Sequence, residues 1–161
     1  KELDDPFVFL RPLGLRLRAI NTAIRDLLPE LLKRYNIIHL CGKGNLDETL
    51  KDTDGYAQFE YANKELADMF ALASLVISRA GANAICELLA LHKPNILIPL
   101  SAAASRGDQI LNATSFRSSG YSYVLEEEAV TNTALLEAID HVFSHKERYV
   151  EAMEKRIVDY T

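Results

Sequence analysis

The turn Ser78-Arg79-Ala80-Gly81-Ala82-Asn83 sits between an apolar run, "LVIS", and an amphipathic stretch, the pattern of a loop that opens a helix. Small side chains there let backbone N–H groups at the helix N-terminus approach an anion closely, where a helix dipole favours negative charge. Glu87, four residues past Asn83, could accept two hydroxyl hydrogen bonds from a ribose, the job an acid does in dinucleotide-binding folds. On spacing alone the plainer alternative has the advantage: Gly81 makes a tight turn and Glu87 merely favours the dipole.

A second polar cluster follows the apolar run "NILIP", within "LSAAASRGDQILNA". Asp108, Gln109 and Asn112 stand at i, i+1 and i+4 of a helix start, so Asp108 and Asn112 share a face. A carboxylate beside amides suits a ligand with several hydroxyls, such as a sugar. The commoner arrangement is an N-cap at Asp108 followed by a polar helix face. "RGD" at 106–108 is a coincidence of three letters. Cys41-Gly42-Lys43-Gly44-Asn45 could touch phosphate, but the full P-loop pattern is absent. His39 lies inside a strand run and reads as a packed residue. His141 and His145 are four apart near a helix end with no third ligand close in sequence, so no metal site is expected. Cys86 is expected to be buried and inert. No Ser-His-Asp or Cys-His arrangement can be assembled from sequence order.

The elements that must position these residues follow from periodicity. Apolar runs recur at 7–10, 36–40, 57–61, 75–78, 95–99 and 121–125, separated by stretches with a period near 3.6. Ile20, Ile24, Leu27, Leu28, Leu31 and Leu32 form one stripe. Leu66, Met69, Phe70 and Ala73 form a second, and Ile85, Leu88 and Leu89 a third. Two further helices are expected from about 131 to 143 and from 146 to 160. Strands alternating with helices read as βαβ units. The expected fold is therefore α/β, a Rossmann-like, doubly wound parallel sheet of about six strands. In such a sheet ligands sit beyond the carboxyl ends of the strands, which selects the loops discussed above.

Composition narrows the class. A chain of 161 residues is expected to form a single domain over 1–161, with residues 1–6, "KELDDP", as a residual tether. A net charge of −5 argues against nucleic acid as partner. No apolar run has the length of a membrane span. Two cysteines make no disulfide framework, and a cytoplasmic location is expected. No cofactor is expected.

"ISRAGANAICELLALHKPNILIPL" followed by "ASRGDQILNA" resembles the C-terminal half of the bacterial MurG family of glycosyltransferases. "INTAIRDLLPELLKRYNIIHLCGKGNLDE" and "GYSYVLEEE" are similar to its low-GC Gram-positive branch. The resemblance runs from about Ile20 to Met153. It implies the C-terminal half of a two-domain GT-B enzyme that makes lipid II from lipid I in peptidoglycan synthesis at the inner face of the plasma membrane. The implied partner is the donor UDP-N-acetylglucosamine. By the same resemblance Gly81, Ala82, Asn83 and Ala84 would meet the diphosphate and Glu87 the ribose. Asp108, Gln109 and Asn112 would face the N-acetylglucosamine, and Phe59, Glu60 and Tyr61 would border the uracil. The implied reaction inverts the anomeric centre.

The departures carry equal weight. The family has a Gly-Gly-Ser-x-Gly loop after the first strand; here the stretch is Pro12-Leu13-Gly14-Leu15-Arg16. Proline removes a backbone donor, and bulky side chains stand where close approach needs glycine. Ala102-Ala103 replaces an expected lysine pair. The family's N-terminal half, with its candidate base, is not in this sequence. Two expectations follow. One is a donor-binding domain that is not catalytic alone and binds its donor weakly or not at all. The other is an excised domain with a redesigned surface, serving as a non-catalytic scaffold that self-associates or binds a protein partner.

Overall fold

Apolar side chains dictate the strands. The computed structural model describes residues 4–11 and 17–159, so the altered loop Pro12–Arg16 and residues 1–3 of the expected tether lie outside the described residues. Six strands form one parallel sheet in the order β3-β2-β1-β4-β5-β6. They are β1 (Phe7–Leu10), β2 (Asn36–Leu40), β3 (Tyr56–Phe59), β4 (Ala73–Ser78), β5 (Asn95–Leu97) and β6 (Tyr123–Val124). The doubly wound α/β expectation holds, with the third run ending two residues earlier and the sixth shortened to two residues. By contact density the chain divides into two compact units, Lys1–Val76 and Ile77–Thr161, the border falling inside β4.

In the first unit, Val8, Phe9 and Leu10 of β1 and all five residues of β2 are buried, as strands covered on both faces must be. Phe7 pairs with Asn36 and Leu10 with His39, and β2 continues in register onto β3, Ile37 opposite Tyr56. Helix α1 (Leu17–Leu31) buries Ile20, Ile24, Leu27, Leu28 and Leu31 of the stripe read from the sequence, and Ala23 beside them; Leu32 falls beyond the helix and is half-buried. Pro29 lies in its last turn, so the helix forgoes the bond that an N–H there would make to the carbonyl of Arg25 one turn back. Helix α2 (Leu66–Leu72) sets Phe70 edge-on against Phe9 of β1, ring centroids 5.3 Å apart.

Polar groups buried in this unit are joined in one directed chain. Asn21 Nδ2 donates to the Cys41 carbonyl at 3.0 Å, which leaves Oδ1 facing His39 Nε2 at 2.8 Å. His39 must therefore carry its proton on Nε2, and its bare Nδ1 accepts from the Tyr56 hydroxyl at 2.8 Å. Arg25 Nε in turn donates to Tyr56 Oη at 3.2 Å. Burial first, and the nearby Arg25 charge second, lower the His39 pKa to about 3.

In the second unit, Ile98 N–H donates to Ser78 O and Leu125 N–H to Leu97 O, each bond within 3 Å, locking β4, β5 and β6 edge to edge. Helix α3 (Ala82–Ala90) buries Ile85 and Leu88. A short α4 (Ala102–Ser105) precedes α5 (Asp108–Ser118). Helix α6 (Asn132–Ser144) packs on β5, burying Leu135, Ala138, Ile139 and Val142. Thr131 caps it by accepting the Ala134 N–H at 3.1 Å. Helix α7 (Lys146–Asp159) follows, with Met153 buried. Among the described residues no helix is long and apolar enough to cross a membrane.

The unfolded chain protonates His39 near pH 6.5, whereas the folded chain resists down to about pH 3. The unfolded state thus binds more protons, and stability falls as pH drops below 6.5. Urea melts are expected to show a loss of about 2 kcal/mol from this residue between pH 7 and pH 5. His39→Gln should flatten that part of the profile; an unchanged slope in the variant would count against the assignment.

Candidate functional site

The carboxyl end of β4 delivers the chain into the turn at 79–81, and the side chains around it fix its path. Arg79 is 8% exposed. Its Nη1 donates to Ile98 O at 3.1 Å, and its Nη2 meets Glu127 Oε1 at 2.7 Å, both side chains of the pair being less than a tenth exposed. A buried guanidinium is tolerated only with such a partner. Ser78 Oγ donates to the Arg79 carbonyl at 2.8 Å. Sequence reading did not find this pair. Its one local signal is an arginine directly after four buried residues, a charge that demands an anion from elsewhere in the chain.

Gly81 is the N-cap of α3, with φ −67° and ψ 152°, and Ile85 N–H closes the first helical bond onto its carbonyl at 3.0 Å. That backbone is open to any residue, so the tight-turn explanation for this glycine is incorrect. Nor does crowding demand it: a Cβ there would meet only Gln109 Nε2, at 3.8 Å. The first-turn amides of Ala82, Asn83 and Ala84 have no intrahelical acceptor, and among the described residues no N-cap side chain or first-turn acid meets them. They form a donor-only end of a helix whose dipole adds positive potential. Glu87 is half-buried in the next turn, and Cys86 is exposed, contrary to expectation, because it points away from the Ile85–Leu88 face.

Helix α5 places the remaining candidates. Asp108 is exposed and is its first residue, not its N-cap; Gly107 takes that position in the left-handed region at φ 87°, after Arg106 at φ 56°. Gln109 Oε1 accepts the N–H of Ala80 at 3.2 Å and of Leu100 at 2.9 Å. Asn112 Nδ2 donates to Ala80 O at 2.9 Å. The structure thus gathers the turn, Gln109 and Asn112 at the carboxyl ends of β4 and β5. A hollow of about 510 Å³ lined by Ser119, Tyr121, Arg148 and Lys155 lies at the opposite end of α5.

In the first unit, Phe59 at the end of β3 and Tyr61 just beyond it are exposed. Glu60 binds the loop after β2: its Oε2 accepts the Gly44 N–H and its carbonyl accepts the Gly42 N–H at 3.1 Å. The two glycine N–H groups that made this loop a phosphate candidate are therefore already engaged. His141 and His145 stack, centroids 4.3 Å apart, with His145 Nδ1 against the His141 carbonyl at 2.9 Å. Among the described residues no group of three or more ligands could hold a metal.

This architecture is that of the C-terminal half of GT-B glycosyltransferases. It is similar to the crystal structure of Acinetobacter baumannii MurG, with TM-score 0.70 and 22% identity over 99% of this chain and 53% of that one. It is also similar to the glycosyltransferase of kitacinnamycin, with TM-score 0.76 and 19% identity over 96% of this chain and 39% of that one. Residues 15–159 match the family described as Glycosyltransferase family 28 C-terminal domain, and the chain belongs to that family. Among its relatives is the UDP-N-acetylglucosamine--N-acetylmuramyl-(pentapeptide) pyrophosphoryl-undecaprenol N-acetylglucosamine transferase of Lachnoclostridium phytofermentans. The two are 63% identical over 135 residues, 84% of this chain and 38% of that protein. The Clostridium novyi protein of the same name is 53% identical over 153 residues, 95% of this chain and 43% of its own length. The chain spans about two fifths of these relatives.

Removing one member of the Arg79–Glu127 pair strands the other in a low-dielectric site. Glu127→Ala is expected to cost about 3 kcal/mol or more in urea unfolding. Arg79→Met combined with Glu127→Leu should lose less than the single change, since an apolar pair needs no counter-charge. Equal losses in the single and double variants would show that packing, not charge, holds the loops.

Proposed function

We propose that this chain is the nucleotide-sugar-binding part of an N-acetylglucosaminyltransferase that uses UDP-N-acetylglucosamine to build a peptidoglycan precursor. The observation that carries the reading is the uncapped first turn of α3 beside Gly81, in a chain of this family. The amides of Ala82, Asn83 and Ala84 take the diphosphate, whose charge the helix start favours. Glu87 accepts from the ribose hydroxyls. Asp108, exposed at the head of α5, accepts from sugar hydroxyls. As the sugar leaves, negative charge grows on UDP, and fixed backbone donors stabilise that charge without reorganising.

Transfer itself belongs to the longer protein. A lipid-linked acceptor must be held and deprotonated in line with the anomeric carbon, and proximity of that kind needs groups on the far side of the donor. Such an acceptor puts the whole transferase at the cytoplasmic face of the membrane. The altered loop Pro12–Arg16 lowers donor affinity through its lost glycines.

Calorimetric titration with UDP-N-acetylglucosamine is expected to give weak binding, with a Kd on the order of 1 mM, about 4 kcal/mol of binding energy. Glu87→Ala should weaken it further. Lipid II synthesis by the chain alone should be undetectable. Absence of heat at several times that concentration would remove the donor-binding role.

A further inference from the structure

Two imidazoles stand together where α6 hands over to α7. His141 and His145 are separated by three residues, so they share one face of the helix. Their rings lie 4.3 Å apart between centroids and are tilted by 29°, with the Tyr123 ring of β6 at 5.3 Å from His141. His145 is the C-cap of α6 and donates twice to one acceptor. Its backbone N–H reaches the His141 carbonyl at 3.1 Å, and its Nδ1 reaches the same oxygen at 2.9 Å. A carbonyl can only accept, so Nδ1 carries the proton, and the lone pair of the neutral ring is left on Nε2.

We propose that His141 and His145 form a two-histidine site for a late first-row divalent metal ion, such as Zn²⁺ or Ni²⁺. Neutral imidazole nitrogens suit ions of that class, whereas Mg²⁺ and Ca²⁺ take oxygen ligands. The spacing His-x-x-x-His is one that histidine ligands use when a single helix supplies both. The Nδ1–H bond to a main-chain carbonyl is the outer contact that holds a ligating ring in its tautomer and orientation. Chelation needs both lone pairs to converge on one ion, which the stacked rings do not do. His141 is exposed and supplies the adjustment by turning about its side-chain torsions, while His145 stays anchored. His145 also borders a hollow of about 420 Å³, which leaves room for water to complete the coordination shell. Among the described residues no third histidine, cysteine or carboxylate joins the pair. The ion is therefore exchangeable, held by fewer protein ligands than a catalytic or structural zinc. The pair sits beside Tyr123, the first residue of β6, whereas the nucleotide-sugar reading uses the carboxyl ends of β4 and β5. Neither proposal depends on the other.

Nickel chloride in a non-chelating buffer is the probe. Calorimetry on the unaltered chain is expected to show one ion per chain, with a Kd on the order of 0.1 mM or tighter. His141→Ala and His145→Ala should each weaken binding about tenfold or more, because the second imidazole acts intramolecularly and a single one has no such advantage. Paramagnetic broadening reads the site without any substitution. The ring signals of His141 and His145 should broaden first, ahead of those of His39 and His92. With Zn²⁺ instead, the His145 nitrogen whose resonance moves should be Nε2. Absence of heat at about 1 mM NiCl2 would overturn the proposal. So would an affinity unchanged in His141→Ala, or broadening that begins at Cys86 or at surface carboxylates, since the ion would then sit elsewhere. A Zn²⁺ shift at Nδ1 of His145 would break the anchoring on which the site depends, and with it the proposal.

Discussion

A guanidinium sealed from water must be answered by an anion, and much of the second unit is arranged around that requirement. Arg79 leaves β4 at its carboxyl end and is met by Glu127, which the chain brings back from 48 residues downstream. Its other arm takes the Ile98 carbonyl at the exit of β5. Three strand ends are thereby referred to one side chain. The amides at the start of α3 begin three residues further on, so their direction is set before any ligand arrives. Fixed donors of this kind act on developing charge without reorganising.

The two units treat their backbone donors differently, and that difference separates the plausible anion site from the misleading one. Glycines in the loop after β2 suggest a phosphate cradle, yet Gly42 and Gly44 both donate to Glu60 and have nothing left to offer. Their positive φ angles, 91° and 76°, explain why glycine stands there. The turn at 80–84 carries a single glycine in an ordinary conformation, but its next three amides have no acceptor among the described residues. Where each N–H goes decides the matter, rather than how many glycines are present.

Much of this organisation is legible in the sequence. Apolar runs locate all six strands to within two residues at each end, because the buried strands of a parallel sheet are built mainly from apolar side chains. The stripe from Ile20 to Leu31 gives α1 its buried face, and Thr131 announces α6. The pattern fails where partners are remote. Nothing near Arg79 names Glu127, and nothing near Gln109 says that its oxygen is spent on Ala80 and Leu100. A polar helix face looks alike whether it meets solvent, ligand or a buried backbone. Asp108 shows the same limit at a boundary, since a good capping residue lost the cap to Gly107, whose left-handed backbone turns the chain into α5. Cys86 was misjudged because residue type sets only an average burial, and the face it occupies is fixed by its neighbours Ile85 and Leu88.

Its two thiols give the molecule an unplanned convenience. Cys41 is fully buried, and burial raises its pKa, so little thiolate forms there. Cys86 is exposed on α3, one turn inside the helix whose first amides are open. A thiol-directed fluorophore would therefore attach at one place without any cysteine having to be removed or introduced. Its emission would report directly on the helix start, so that the native sequence carries an optical handle on the event that matters most in this domain.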